Sequence, residues 1–283
     1  MANKKDSLGD RMKHNYEERY KIALTRRMPV IIRLDGKAFH TFTRGFERPY
    51  DEVLHRSMNK TLKQLCANIQ GCKLGYTQSD EISLLLTDFD TVATDAWFDY
   101  ELEKMCSIAA SMATLYFNKA FNEYAEAEMH PDMDMQRYRV LESACEKGAL
   151  FDARCFNIPE DEVCNYFIWR QQDATRNAIQ MLGQCNFSQK ELHGKSCNQI
   201  QDMLMLQKEI NFNDMPVAFK RGICCVKKIE CSPMIKIDGN VGGAFMRNSW
   251  VLDEEIPIFT QDRNYIESKM YRNYIEYTKE STK

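Results

Sequence analysis

Apolar and polar positions recur along the first 158 residues with two different periods, which predict strands and helices in a regular order. The segment PVIIRLDGK at residues 29–37 is β-branched and ends in Asp-Gly, which is typical of a strand followed by a turn. The segment EISLLL places Ile82, Leu84 and Leu86 on one face of another strand. In chain order, the pattern predicts a strand at 29–37, a helix at 51–69, strands at about 72–77 and 82–87, a long helix at about 97–126 and a strand at 150–158.

This β-α-β-β-α-β order predicts an α+β fold of the ferredoxin-like type, with a four-stranded antiparallel sheet and two helices on one face. Residues 127–147, between the last helix and strand, are polar and Met-rich and are expected to form a loop or an irregular helical extension. The charged segment from Asp6 to Thr25 predicts an amphipathic helix that packs on the main body. Its apolar positions are Leu8, Met12, Tyr16 and Tyr20.

The second half of the chain is predicted to be mainly helical. The pattern indicates a helix at about 161–183, shorter helices through Glu209, a strand at 222–230 and a tail through WVLDEEIPIF. We therefore expect two units, a catalytic core with an N-terminal helix at 1–158 and a mainly helical extension packed on it at 159–283.

Composition narrows the class of protein. The 283 residues carry a net charge of −3 and a pI near 6.0, so a nucleic-acid partner would have to be held by local basic patches. Eleven cysteines without a C-x-x-C pair favour reduced thiols over a zinc site or a disulfide framework. The N-terminus lacks the apolar region of a signal peptide, and no apolar run reaches the ~18 residues of a membrane helix. We expect a cytoplasmic protein that does not bind a membrane.

Two acidic residues carry the strongest chemical signal. Asp35 ends the first predicted strand, and Asp80 lies at the hairpin tip before the third. Antiparallel pairing of these strands brings the two carboxylates together, and their repulsion is relieved by a hard divalent cation, most naturally Mg²⁺. Two such ions are the arrangement for phosphoryl or nucleotidyl transfer. Glu81 beside Asp80 is a further acid with either a supporting or a structural role.

Groups that bind phosphate cluster around these acids in the predicted topology. The segment after Asp35 can present backbone N–H groups and a cation to a triphosphate. Its residues are Gly36, Lys37, Ala38, Phe39 and His40. Arg48, Arg154 and Lys220 are further candidates for contacts with RNA or phosphate.

Four segments, VIIRLDGKAFHTFTRGFERPYDE, GYTQSDEISLLL, FDARCFNIP and WRQQDATRNAIQ, together resemble the histidine-tRNA guanylyltransferase superfamily of 3′-to-5′ nucleotide polymerases. The resemblance is ordered and spans about residues 7–230. It implies a polymerase-palm-type catalytic core that activates a tRNA 5′ end with ATP or GTP and then adds a nucleotide. It also implies two Mg²⁺ ions held by Asp35, the backbone carbonyl of Gly36 and Asp80, a triphosphate loop at 35–40 with Ser79 beside it, and a homo-oligomer, a dimer or a tetramer.

One departure from the family pattern concerns the substrate. Guanylyltransferases that act on histidine tRNA carry H-I-N-N-L-Y-N after an Arg-Gln pair, whereas here Arg170-Gln171 is followed by QDATRNAI and only Asn177 matches. The sequence therefore resembles the guanylyltransferase-like branch, whose activity is template-dependent repair of 5′-truncated tRNA. Arg170, Asp173 and Asn177 share one helix face and are candidates to line a nucleotide or 5′-end site.

Three alternatives remain open at this level. The first is the addition of G to histidine tRNA. The second is a palm-type nucleotide cyclase or dinucleotide synthase, which uses the same paired acids. The third is a non-catalytic RNA-binding module, which the aliphatic strands disfavour because such sheets read bases with exposed aromatic residues.

Overall fold

The computed structural model describes residues 7–232, 236–237, 240–241 and 245–271. They form a mixed α/β structure around one antiparallel sheet. The strands are β1 Val30–Gly36, β2 Cys72–Gln78, β3 Glu81–Leu86, β4 Phe151–Asn157, β5 Ile223–Ser232, β6 Lys236–Ile237, β7 Asn240–Val241 and β8 Phe245–Asp253. The α-helices are α1 Leu8–Met12, α2 Phe39–Phe42, α3 Glu52–Asn68, α4 Leu102–Glu128, α5 Met135–Lys147, α6 Glu160–Asn186, α7 Gln189–Leu192, α8 Cys197–Lys208, α9 Val217–Arg221 and α10 Asn264–Glu267.

The sheet has six strands in the order β4-β1-β3-β2-β5-β8, with every neighbouring pair antiparallel. The four strands and two helices predicted between residues 29 and 158 are confirmed as elements, and β1 lies beside β3 as expected. The strand predicted at 222–230 is also confirmed, and it extends the same sheet as β5. The segment expected to form a tail through Trp250 instead contributes to β8, which pairs with β5 and completes the edge.

Both faces of the sheet are buried, because alternate residues of the inner strands are apolar on each side. Ile32 and Leu84 face the core beneath α3 and α4, together with the other even-numbered apolar residues of β1 and β3. Ile31 and Leu85 face the opposite core, which α6 covers with Val163 and other apolar residues. One sheet face therefore carries α3 and α4, and the other carries α6.

Two sequence-based predictions are wrong. The N-terminal segment is helical only through Tyr20, with a π-helical turn in the middle, and its apolar positions face solvent rather than the main body. Tyr20 at its end is 77% exposed. Residues 135–147 form the regular helix α5, because Asp134 caps it through the backbone N–H of Arg137, and Leu141 and Ala144 pack into the core.

Candidate active site

The acidic residues meet where β1 ends and the β2–β3 hairpin turns. Asp35 lies directly opposite Glu81 in the β1–β3 register, and the backbone N–H of Gly36 donates to the carbonyl of Asp80 over 3.2 Å. The expected pairing of strand ends is thus confirmed by the register. On its other side, Asp35 lies opposite Asp152 of β4, so acids from three strands share this edge of the sheet.

The hairpin tip holds Asp80 in a tight turn. Ser79 before it adopts a left-handed backbone conformation with φ of 51° and is exposed. Burial raises the pKa of the Asp80 carboxyl above its ordinary value, and the negative charge of Asp35 raises it further. The tip therefore carries an acid whose ionised form lacks full compensation from the surrounding protein.

Glu81 is the most deeply buried of the four acids at this edge, at 5% exposure. Its Oε2 atom accepts from Arg33 Nη2 over 2.7 Å and from Arg170 Nη1 over 3.1 Å. Burial raises the pKa of the Glu81 carboxyl, although Arg170 and Arg33 both lower it. Its Oε1 atom is buried and has no hydrogen-bond partner among the residues that the structure describes.

Arg170 links this carboxylate to α6. Its Nη2 atom donates to Asp173 over 2.6 Å, and its guanidinium lies 3.8 Å from the ring centroid of Trp169. Asp173 also pairs with Arg176. Arg170 is only 2% exposed, so its guanidinium does not reach solvent. The charges of β1, β3 and α6 thus form one buried network behind the acidic edge.

The loop after β1 is held against the core by an aromatic ring. A Cβ atom at Gly36 would lie 2.1 Å from the ring of Phe39, so only glycine allows this packing. Phe39 is buried against Phe117 and Phe151 of the core, and Ala38 has a left-handed φ of 53°. The side chain of Phe39 therefore anchors the loop, so at position 39 only the backbone is left for a ligand.

A cleft of about 480 Å³ opens between this loop, the hairpin tip and the start of α3. It brings together seven of the fifteen residues that the sequence singled out. They are Gly36, Ala38, Phe39, His40, Arg48, Ser79 and Asp80. Lys37 and His40 are exposed on the loop, so their side chains are accessible to a ligand in solution. The cleft therefore joins the acidic edge to the loop after β1, in which the backbone N–H groups of Gly36 and Lys37 already donate to the carbonyls of Asp80 and Leu150.

Three other predicted residues, Arg154, Asn177 and Lys220, do not line this cleft. Arg154 is exposed on β4, with its Nε atom 4.0 Å from Asp152. Asn177 lines a second pocket, between α3 and α6. Lys220 donates to the carbonyl of Asn213 and lines a third cavity on the far side of α6.

The arrangement of acids fits a Mg²⁺ site that is completed by substrate. Among the described residues, no group of three or more His, Cys, Asp or Glu side chains is arranged to enclose a metal ion. Mg²⁺ usually takes one or two carboxylates and completes its octahedral shell with water and substrate phosphates. Asp35 and Asp80, with incomplete charge compensation at Asp80, provide such a partial shell beside the cleft.

Sequence reasoning missed two residues at this edge. Arg33 lies two positions before Asp35, on the same face of β1, and its Nη2 atom is 3.4 Å from the Asp35 carboxylate. The period of two along a strand was the available signal, because residues two apart share a face. Asp152 was missed because its position depends on the β1–β4 register, which the sequence pattern does not specify.

Comparison with protein families gives a match over residues 9–159 to the model described as "Thg1: tRNAHis guanylyltransferase". A curated tRNA(His) guanylyltransferase from Saccharomyces cerevisiae is 26% identical over 215 residues, which are 71% of this chain and 83% of that protein. No helix in the described ranges combines the length and the apolar character needed to cross a bilayer.

Two similar solved structures cover nearly the whole chain. A bacterial tRNA(His) guanylyltransferase (Thg1)-like protein in complex with ATP has a TM-score of 0.76 and 44% identity, covering 94% of this chain and 100% of that one. A bacterial Thg1-like protein in complex with GTP has a TM-score of 0.72 and 41% identity, covering 94% of this chain and 99% of that one. Both exceed the similarity to the yeast enzyme.

Proposed function

The chain belongs to the tRNAHis guanylyltransferase family of nucleotidyltransferases, and on that premise we propose that it adds nucleotides to the 5′ end of tRNA in the 3′-to-5′ direction, copying a template. The substrate on this proposal is a tRNA that lacks nucleotides at its 5′ end. The enzyme activates that end with ATP or GTP and then joins the next nucleoside triphosphate to it.

The observation that carries the proposal is the meeting of Asp35 and Asp80 beside a cleft that is bordered by the loop after β1. The strand order β4-β1-β3-β2, with α3 and α4 on one face, supports a ferredoxin-like palm as the catalytic core. Palm-type sites hold their acids at strand ends in this way so that phosphate oxygens can share a metal with the protein.

Asp35, the backbone carbonyl of Gly36 and Asp80 would hold two Mg²⁺ ions. When bound, these ions would supply the charge that activates an attacking oxygen and stabilises a leaving pyrophosphate. The fit rests on the donor set, because two carboxylates and a carbonyl are the hard oxygen ligands that Mg²⁺ prefers. Asp80, whose pKa is raised by burial and by Asp35, loses its proton more readily when a cation is near.

The chain's own groups bind and orient the triphosphate. The backbone N–H groups of residues 38–40 are the loop's donors for phosphate, because those of Gly36 and Lys37 already donate to Asp80 and Leu150. Ser79 adds a hydroxyl from the hairpin tip. Arg48 lines the same cleft and supplies a positive charge to phosphate oxygens. The bound ATP and GTP named for the two bacterial relatives support nucleotides as ligands of this site.

Glu81 acts on this proposal as a positioning residue. Its carboxylate is held by Arg33 and Arg170, and its strand position is directly opposite Asp35. The network therefore fixes the end of β1 relative to the hairpin. Arg154, exposed on β4, and Lys220 are available for RNA, whereas Arg170 contributes from the interior.

Repair of truncated tRNA is favoured over addition of G to histidine tRNA by two observations. Identity to the bacterial guanylyltransferase-like protein is 44%, against 26% to the yeast guanylyltransferase. The Arg170-Gln171 pair is followed by QDATRNAI, in which only Asn177 matches the pattern of the histidine-specific enzymes. Addition of G to histidine tRNA is the second candidate, because the family itself is defined by that activity.

We also propose a cytoplasmic homo-oligomer, a dimer or a tetramer. A chain with a net charge of −3 has little positive potential of its own to attract tRNA. Neighbouring copies would combine their local basic surfaces around one RNA. Sedimentation with and without tRNA measures the oligomeric state. A monomer that binds tRNA as tightly as the oligomer does would contradict this part of the proposal.

The decisive experiment supplies a tRNA that lacks its first 5′ nucleotides, with a 5′-phosphate, Mg²⁺, ATP and the four labelled triphosphates. Templated 5′ extension is expected. Asp35→Asn and Asp80→Asn should each lose more activity than the ~10–100-fold typical of groups that only support a metal ligand. Asp132→Asn, in an exposed loop, is the matched control and should retain the wild-type rate. Near-normal extension by either site variant would refute the metal assignment, and addition of G to histidine tRNA alone would favour the second candidate.

A further inference from the structure

A groove of about 660 Å³ lies between α5 and the segment that contains α2, outside the cleft described above. We call it the α2–α5 groove. Three exposed cations line it, Arg44 after α2 and Arg139 and Lys147 on α5. None of the residues assigned above to metal, triphosphate or RNA lines this groove, so the proposed function leaves its charges without a role.

The three cations lack acidic partners. Within the part of the chain that the structure describes, none of them makes an ion pair, and none of the residues that line the groove is acidic. Arg137, on another face of α5, is by contrast held by Asp51 over 2.6 Å and by Glu128 over 2.9 Å. In a chain with a net charge of −3, three uncompensated cations create a local positive potential that attracts an anionic partner.

The charges of α5 are spread along one face of the helix. Arg139, Ser143 and Lys147 recur every four residues, so all three lie on the face that lines the groove. Arg139 and Lys147 are eight residues apart, which is about 12 Å along the helix axis. The exposed acids Glu142 and Glu146 of the same helix lie outside the lining. Positive charge distributed in this way fits an extended polyanion better than a single phosphate group.

Tight packing on its inner side preforms the groove. Gly45, next to Arg44, has a left-handed φ of 91°, and a Cβ atom there would lie 2.9 Å from Val140 Cγ2 on α5. Phe42 and Ala144 of the groove are buried in the core, at 5% and 4% exposure. The two sides are therefore held at one distance, so a ligand does not have to bring the cations together.

The lining suits the backbone of a nucleic acid rather than its bases. Phe42 is the one aromatic residue among the described residues that line the groove, and its buried ring packs against Phe46 and Phe121. It leaves no exposed face on which a base could stack. Gln136 and Ser143 add uncharged donors, which contact phosphate oxygens in protein–nucleic acid interfaces as Arg and Lys do.

Only α2 separates the groove from the triphosphate cleft. Phe39 and His40 line the cleft, whereas the next two residues, Thr41 and Phe42, line the groove. An α-helix is about 10–12 Å wide, so a polymer whose end lies in the cleft can continue into the groove. RNA with its 5′ end at the acids has this continuity, whereas an acidic peptide or a membrane surface has no connection to the cleft.

We propose that the α2–α5 groove binds the phosphodiester backbone of the RNA substrate next to its 5′ end, without reading the base sequence. The proposal rests on the proposed function only in taking RNA as the substrate of the adjoining cleft. Two strands carry the same chemistry, the 5′ strand that is extended and the opposing 3′ strand that serves as template.

The test measures RNA affinity as a function of salt. The groove variant combines Arg44→Gln, Arg139→Gln and Lys147→Gln, which removes the three charges and keeps long polar side chains. The matched control combines Lys63→Gln, Lys190→Gln and Lys195→Gln, three exposed lysines that also make no ion pair within the described residues. Fluorescence anisotropy with a labelled 5′-truncated tRNA, in EDTA and without triphosphates, gives Kd over about 50–200 mM salt, so that binding requires neither metal nor catalysis.

Each phosphate contact contributes about 0.7–0.9 to the slope of log Kd against log salt concentration. We expect the groove variant to lower this slope by about 2–3 and to weaken Kd at least about tenfold at the lowest salt, equally for two stems of different sequence. The control should keep the wild-type slope and Kd. An unchanged urea midpoint checks that the groove variant is folded; if it is not, Arg139→Gln alone should lower the slope by about 1.

An unchanged slope, an equal reduction in the control, or no binding of RNA by the wild type would overturn the proposal. Groove-dependent capture by phosphatidylserine vesicles, with RNA binding unaffected, would also overturn it. Extension of truncated tRNA by a protein whose slope ignores the groove would leave the proposed function standing. Groove-dependent RNA binding without any extension would refute the proposed function and leave the groove assignment standing.

Two further RNAs identify the strand that occupies the groove. One is a fully paired acceptor stem, and the other is the same stem with its 5′ strand shortened. Weaker binding of both RNAs by the groove variant supports contact with the paired backbone next to the 5′ end. Weaker binding of the shortened stem alone supports contact with the exposed template strand, and insensitivity of both would overturn the proposal.

Discussion

Removal of Arg170 tests whether the buried charge network stabilises the acidic edge. Arg170→Met deletes the donor that lies 3.1 Å from Glu81 and the donor that lies 2.6 Å from Asp173, while it retains most of the side-chain volume. Breaking a buried ion pair by removing one partner costs about 3–5 kcal/mol. Glu81 keeps Arg33 at 2.7 Å, so we expect the lower end, about 3 kcal/mol.

We expect most of the stability lost in Arg170→Met to come from the uncompensated charge of Glu81, and a second variant tests this. Glu81→Gln in the Arg170→Met background removes the uncompensated carboxylate. The double variant should therefore be more stable than the sum of the single changes predicts, by about 2 kcal/mol. A carboxyl group whose pKa is raised on folding takes up a proton on folding, so the deficit of Arg170→Met should grow as the pH rises above the ordinary value for glutamate.

Urea unfolding measures the free energies of the wild type, the two single variants and the double variant. Circular dichroism is the better probe than tryptophan fluorescence, because the fluorescence of Trp169 would itself respond to loss of the guanidinium stacked on its ring. The slopes of free energy against urea should agree among the four proteins. Additivity within about 0.5 kcal/mol would show that Glu81 and Arg170 are not coupled and would refute this account of the network.

Three further predictions follow from single residues. Gly36→Ala places a Cβ atom 2.1 Å from the ring of Phe39 and should cost about 1–3 kcal/mol in urea unfolding together with most nucleotide addition. Gly9→Ala, whose Cβ atom would meet only Ser7 Oγ at 3.9 Å, should do neither, and a Gly36→Ala protein of wild-type stability would contradict the packing. Mg²⁺ at about 100 times its Kd should raise the unfolding free energy of the wild type by about 2.7 kcal/mol and leave Asp80→Asn unchanged in thermal melts; equal shifts in both proteins would place the metal elsewhere. Because the pKa of His55 is lowered to about 4, the unfolded state binds its proton first, and stability should fall by roughly 3 kcal/mol as the pH drops from about 6.5 to about 4. His55→Leu should lose this part of the pH dependence, and superimposable profiles of the two proteins would disprove it.

The sequence predicted the central sheet because its strands have unambiguous periods. Ile82, Leu84 and Leu86 alternate with buried polar and apolar residues, and their register with β1 then places Asp35 opposite the hairpin tip. The adjacency of two acids 45 positions apart followed from topology alone. No long-range contact had to be known in advance.

The sequence did not predict contacts that depend on which element packs against a given face of a helix or strand. The apolar stripe of the N-terminal segment has the period of a packed helix, but periodicity does not show whether another element lies against it. The clamp on Glu81 joins residues of β1, β3 and α6, and it became visible only when the rotation of α6 over the sheet was known. The pocket that Asn177 lines likewise depends on the distance between α3 and α6.

The aromatic anchor beneath the phosphate loop has a consequence for the thermodynamics of nucleotide binding. Because Phe39 is packed in the core, the backbone of the loop loses its conformational entropy when the protein folds rather than when a nucleotide arrives. A preorganised loop spends less of its interaction free energy on ordering itself. Selectivity among triphosphates can then evolve at the exposed positions Lys37 and His40 while the affinity for phosphate, set by the core, stays constant.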